Sequence, residues 1–291
     1  MKASLKSFDI KKQTSIFKNL TSLVYKSFTK EPRSIIFMLV VPIFFSVMFF
    51  FIFGKEGKTL FNYALLPCLT VLTSLTPAIV EWKNSVFLKR IDITGVKKSM
   101  FIASIWLVYL LAGIFFYLVV LSFNTILSIA TLGTGSENTF ISSFNSIKIG
   151  YLFLSIILIC ATSIALATLF GGIANSSGSI QGVVMMVYFF SIFLSGIMLP
   201  TQSLFKSEGM VIFTYFIPHK YPVFLYMYSF SQTGWTEILP NDQWIIPTQA
   251  ATFQGAVNSF TASWQPIVGS LGILTALFTL TTFTFKWTAK R

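Results

Sequence analysis

An all-α integral membrane fold with six transmembrane helices is what this sequence predicts, and three observations predict it. The first is composition. Of 291 residues, 54% are hydrophobic, 33 are Phe and only 10% are charged, where a soluble domain carries roughly a quarter charged residues. A soluble core of this size could not hide so much apolar surface, whereas lipid can. The second is the spacing of that apolar surface. Six uncharged runs, at 34–53, 60–80, 99–123, 149–174, 177–200 and 266–285, each approach or exceed the ~20 residues a helix needs to cross the hydrocarbon. One such run fits a buried helix of a soluble protein, but six in one chain do not. The third is charge. With both ends on one side, that side holds eight Lys/Arg in residues 1–33, five in 81–98 and three after Phe285, and the other side holds five. This asymmetry orients the chain with both termini cytoplasmic, as a multi-pass protein of the cell membrane. It also assigns the basic charge to anionic lipid and cytoplasmic partners rather than to nucleic acid.

The N-terminal segment, 1–33, is read as cytoplasmic. Ile16, Leu20, Leu23, Val24 and Phe28 recur at helical spacing with Lys18 and Lys26 off the stripe, which predicts a basic amphipathic helix lying on the inner leaflet. The alternative is a helix packed on a protein partner. Glu31-Pro32 ends that helix and turns the chain into the first span. A charged segment precedes this span, so the span is expected to be an uncleaved anchor. The transmembrane domain runs over 34–286, with a short tail at 287–291. Cys68 and Cys160 fall inside spans, so no disulfide is expected.

The first outer link contains Gly54-Lys55-Glu56-Gly57-Lys58-Thr59. A phosphate-binding loop needs a Gly five residues before Gly57, where the chain has Ile52, so the segment is not one. Between the fourth and fifth spans, Gly178 and Gly182 form a G-x-x-x-G spacing, and Ala161/Ala165 and Ala167/Gly171 repeat the theme. Close helix packing, within the chain or between two copies, explains such pairs. Residues 211–230 are apolar but carry Pro218, His219, Lys220 and Pro222 at their middle. That predicts an interfacial or re-entrant pair of short helices rather than a seventh span. They belong to an outer cap, 201–265, whose Trp235, Trp244 and Trp264 suit the headgroup level.

Several chemistries are excluded. The six uncharged runs contain no ionisable proton-relay residue of the kind that marks ion-coupled transport, although backbone carbonyls and hydroxyls could still bind sodium. His219, the single histidine, has no carboxylate nearby in sequence, so neither a metal site nor an intramembrane protease is expected. Ser195-Gly196 is read as the end of a helix rather than as a nucleophile. No catalytic residue and no cofactor are assigned to the chain.

The loop 81–98 then stands out, with seven charged residues between two uncharged runs. Its Glu81, Ser85, Leu88, Lys89, Arg90, Ile93 and Thr94 resemble the cytoplasmic loop of type-2 ATP-binding-cassette exporter permeases. Asn84-Ser85 stands where the family carries Gly-Thr, and Gly95 where it carries Pro. Residues 189–200, FFSIFLSGIMLP, are similar to the family's fifth span, and 215–226, YFIPHKYPVFLY, to the segment after it. The resemblance implies a transport subunit without enzyme activity of its own. It implies a second permease copy or paralogue, and a separate ATPase subunit carrying ATP and Mg. It also implies that a coupling helix in the loop docks on that ATPase. On this reading Glu81, Trp82, Ser85, Phe87, Leu88, Lys89, Arg90, Ile91, Asp92 and Thr94 are the coupling residues. Trp82, Phe87, Leu88 and Ile91 are its apolar anchors, Lys83, Lys89 and Arg90 its charges, and Asp92 or Thr94 caps the next helix. A lipid-facing loop that only sets topology is the alternative.

The translocation path is expected along Thr70, Thr73 and Ser74 of the second span and Gln181, Met185, Tyr188 and Ser195 of the fifth. Soft and mildly polar side chains suit an amphipathic cargo: a drug, an antimicrobial peptide or a lipid-like molecule. Helix packing, with hydroxyls bonded to backbone carbonyls, explains the same residues. A lipid-linked polysaccharide as cargo and a non-transporting membrane sensor or scaffold are the rival functions.

Overall fold

The computed structural model describes residues 2–52, 59–93, 96–133, 138–198, 208–230, 260 and 262–285. Most of the expected outer cap, with Trp235 and Trp244, lies outside these residues, as do Thr94, the link containing Gly54 and the C-terminal tail. Among the described residues six helices are long and apolar enough to cross a membrane: Pro32–Ile52, Leu60–Asn84, Lys98–Leu132, Ile149–Ile173, Ser177–Leu194 and Trp264–Thr284. They agree with the six uncharged runs. The third is longer than expected by nine residues beyond Phe123. Its polar extension is held by side chains, because Asn124 donates to the Leu60 carbonyl and Ser128 to Asn138 Oδ1, both at 2.8 Å.

Proline shapes two of the spans. Pro42 in the first has no N–H to give, and the turn ahead of it widens to a π-helix over Ile36–Val40, with the Val41 N–H reaching back to Ile36. Pro77 lies inside the second. The fifth stops at Ser195-Gly196, where Gly196 takes φ 89°, a value that suits glycine and closes a helix.

The second span is the axis of the bundle. Every residue from Leu60 to Val80 is buried. It packs against the first, third, fourth and fifth spans. The first, fifth and sixth spans lie at the periphery and expose apolar faces, including Phe44, Phe51, Phe189, Phe190, Phe278 and Phe283. Those faces are what a helix presents to lipid.

The N-terminal helix, Lys2–Lys30, turns part of its apolar stripe onto the bundle. Leu20, Val24 and Phe28 are buried, and the helix packs on the third span. Phe28 meets the Tyr109 ring edge-on at 5.3 Å. Leu23 and Tyr25 remain exposed. Glu31, in extended conformation, separates this helix from the first span, with Pro32 at its first turn.

Candidate functional site

The second span ends at Ser85, whose N–H bonds the Glu81 carbonyl and whose Oγ donates to the Trp82 carbonyl at 2.8 Å. An extended backbone there (φ −81°, ψ 165°) turns the chain into a separate short helix, Val86–Ile93. The following span begins at Lys98 with Lys97 as N-cap. Its cap is therefore neither Asp92 nor Thr94, both of which precede the start by several residues.

The loop residues lie in different surroundings. Leu88 and Ile91 turn into the core of the bundle and are buried there. They hold the loop helix onto its own protein. Val86 and Ile93 face outward, 61% and 86% exposed. Phe87, Lys89, Arg90 and Asp92 lie on the same helix. Glu81 pairs with Arg33 at 3.2 Å and joins the start of the first span to the end of the second. Trp82 is half-buried, donates from Nε1 to Ser27 Oγ at 3.2 Å and meets Phe101 edge-on. It therefore clasps the N-terminal helix and the third span.

Lys83 departs most from expectation. Its side chain is only 2% exposed and points away from any docking surface. Nζ donates to the carbonyls of Gly171, Gly172 and Ala174 at 3.0, 2.6 and 2.8 Å. These carbonyls belong to the C-terminal turn of the fourth span, which has no helical N–H to offer them and carries the negative end of the helix dipole. Asn84 adds a bond from Nδ2 to the Asn175 carbonyl at 3.2 Å. The helices approach closely here. A β-carbon on Gly171 would stand 2.8 Å from the Ile79 side chain and 3.2 Å from the Thr76 carbonyl.

The expected path residues fall on two unlike faces. Thr70, Thr73 and Ser74 are fully buried, and their hydroxyls donate to the carbonyls of Pro67, Thr70 and Val71. On the fifth span, Met185 is half-buried and packs on the core. Gln181 Oε1, Tyr188 Oη and Ser195 Oγ are buried atoms without a hydrogen-bond partner among the described residues. Seven residues apart, these three share one seam of the helix, and the fifth span packs on the second.

Beyond the fifth span, two short helices, Glu208–Thr214 and Lys220–Phe230, flank an interruption at 215–219. His219 is fully buried at the tip of this hairpin, with one ring nitrogen on Ser163 Oγ and the other on Ser191 Oγ, both at 2.9 Å. Ser163 lies about 15 Å along the helix from the Ile173 end of the fourth span. The tip of the hairpin therefore lies beside the middle of the fourth span. Lys220 is accommodated by Thr214 Oγ1 and by the Tyr215 ring, whose centroid is 3.7 Å from Nζ. No sequence motif links His219 to two serines 56 and 28 residues away.

A family model described as ABC-2 family transporter protein matches residues 57–285. No curated protein and no solved structure matches.

Proposed function

The chain belongs to the ABC-2 transporter family and is the membrane permease of an ABC-type transporter, and on that premise we propose that it exports an amphipathic cargo across the cell membrane, driven by a separate ATPase subunit. Two permease copies, or this chain and a paralogue, enclose the path, with both termini cytoplasmic. The ATPase docks on the loop helix Val86–Ile93. The observation that carries this reading is the division of that helix into an inward face, Leu88 and Ile91, and an outward apolar pair, Val86 and Ile93. Exposed apolar residues on a loop otherwise rich in charge suit a protein groove, and a loop that only set topology would not need them. Lys89 and Arg90 supply charge complementarity alongside.

Cargo passes along the fifth span. Its three unpaired polar groups offer hydrogen bonds, while Met185 and Tyr188 offer soft apolar contact. Leaving a buried polar group unpaired costs about 1–3 kcal/mol, so the seam is more favourable in a state where cargo, water or the second permease pairs it. ATP binding shifts the population toward that state.

The test is co-purification with the ATPase subunit. Val86→Asp with Ile93→Asp should abolish capture of the ATPase while membrane insertion is unchanged. Leu88→Ala, by contrast, should lower the amount of folded permease. Undiminished capture by the Val86/Ile93 double variant would refute the docking role.

A further inference from the structure

We infer that Lys83 and Asn84 are the element that transmits movement of the loop helix to the fourth and fifth spans. The inference rests on the coupling reading above and names its route.

A loop between two spans can move either of them. On the near side, the second span, the single residue Ser85 separates Asn84 from the loop helix. The second span is the axis of the bundle, buried from Leu60 to Val80, and over that length it offers no exposed surface to a cargo. Movement must pass outward to a peripheral helix to open a path. The Lys83 ammonium provides that connection. It binds three carbonyls at the end of the fourth span, and Asn84 reaches the link that follows. That link spans only residues 174–176 before the fifth span begins at Ser177. From the loop helix to the start of the fifth span, the chain of contacts therefore contains no long flexible segment.

The packing fits a lever. Gly171 lets the second and fourth spans touch at Ile79 and the Thr76 carbonyl. On its other side, Gly172 lies against Phe285 at the end of the sixth span, which a β-carbon would approach to 3.1 Å. The end of the fourth span is thus gripped by the second span and backed by the sixth. The fifth span is held by apolar packing on the second and by Ser191 on His219, but on its seam Gln181 Oε1, Tyr188 Oη and Ser195 Oγ have no hydrogen bond to break among the described residues. A pull at Lys83 therefore moves a fixed end, and the response falls on the weakly bonded seam. Charge-assisted hydrogen bonds are roughly twice as strong as neutral ones, and a group with three of them is suited to bear load in both directions.

The experiment uses the complete complex with its ATPase, and ATP with Mg as the only probe, so no cargo need be known. Spin labels are placed at Gly182→Cys on the fifth span and Leu111→Cys on the third, both exposed positions. In the otherwise unaltered complex, ATP should shift the distance between them. In Lys83→Met, which keeps the apolar stem and removes the charge, the ATPase should still be captured and still hydrolyse ATP, but the shift should be lost. Asn84→Ala, a milder break of the same connection, should reduce the shift, and it provides the readout if Lys83→Met fails to fold. A merely structural role would lower capture, hydrolysis and shift together. A full ATP-driven shift in Asn84→Ala and in folded Lys83→Met would overturn the inference. Absence of any shift in the unaltered complex, or failure of the Val86/Ile93 variant to affect capture, would overturn the coupling reading and the inference with it, whereas a full shift in the Lys83 and Asn84 variants overturns the inference alone.

Discussion

The second and fifth spans are adjacent helices of comparable apolar character, yet they manage polarity in opposite ways. The second is buried from Leu60 to Val80, and its hydroxyls return to carbonyls of their own helix. The fifth keeps one face in lipid, and of its inward polar atoms Ser191 Oγ meets the His219 ring while Gln181 Oε1, Tyr188 Oη and Ser195 Oγ are unpaired among the described residues. The difference teaches that a hydroxyl in a membrane helix says little until its partner is known. Closed on its own backbone, it is packing. Left open on a buried seam, it is a group waiting for a partner. The two spans also differ in their glycines. Gly171, packed on the second span, has no room for a side chain, whereas Gly182 of the fifth has nothing within 4 Å of a β-carbon.

The glycines give the largest expected effect. Gly171→Val should cost about 3 kcal/mol or more through overpacking against Ile79, read as a lowered Tm of the purified permease. Gly182→Val should leave the Tm of the single permease unchanged. An equal loss at both positions would break the contrast. A loss at Gly182 that depends on protein concentration would sharpen it, by placing a second copy on that face.

The hydroxyls come next. Thr73→Val removes a bond confined to one helix and should change stability by about 1 kcal/mol at most, without changing ATP-driven movement. Tyr188→Phe removes a buried hydroxyl that has no partner in this state. It should leave stability unchanged or raise it by up to about 1–2 kcal/mol, and it should weaken cargo-stimulated ATP hydrolysis. A marked loss of stability in Tyr188→Phe would show that its hydroxyl is bonded after all.

The smallest effect is a pH dependence confined to the end of the second span where Glu81 meets Arg33. Glu31 lies beside that pair. Burial, and then the Glu81 carboxylate, hold its carboxyl above the ordinary glutamate range, with Arg33 and Ser34 opposing. The folded protein thus binds this proton more tightly than the unfolded chain. Its contribution to stability falls as pH rises from the ordinary range through the raised value, and stays low above it. Thermal unfolding of Glu31→Gln across this range should show a flatter profile than the unaltered chain. Identical profiles would contradict the shift.

The sequence carried the six spans, because six long uncharged runs in one chain fit only a membrane. It also carried the break at Glu31-Pro32 and the hairpin around 215–219, where proline and charge interrupt an apolar run. It did not carry the third span's extension, because Asn124 and Ser128 read as the end of an apolar run until their bonds to Leu60 and Asn138 are seen. Lys83 was read as a docking charge for the same reason. Its acceptors are backbone carbonyls 88–91 residues away, and backbone carbonyls leave no mark in a sequence. Leu88 and Ile91 were read as docking anchors because the pattern shows which residues share a helix but not which side its own protein covers. Among the candidate path residues, pattern alone could not separate Thr73 from Tyr188.

The central claim is that the loop helix is the surface the ATPase holds, and site-specific photo-crosslinking tests it most directly. A crosslinker at Ile93, outward on that helix, should capture the ATPase subunit. The same group at Phe216, exposed on the hairpin at 77%, should not. Capture from Phe216, or none from Ile93 in a complex that contains the ATPase, would contradict the account.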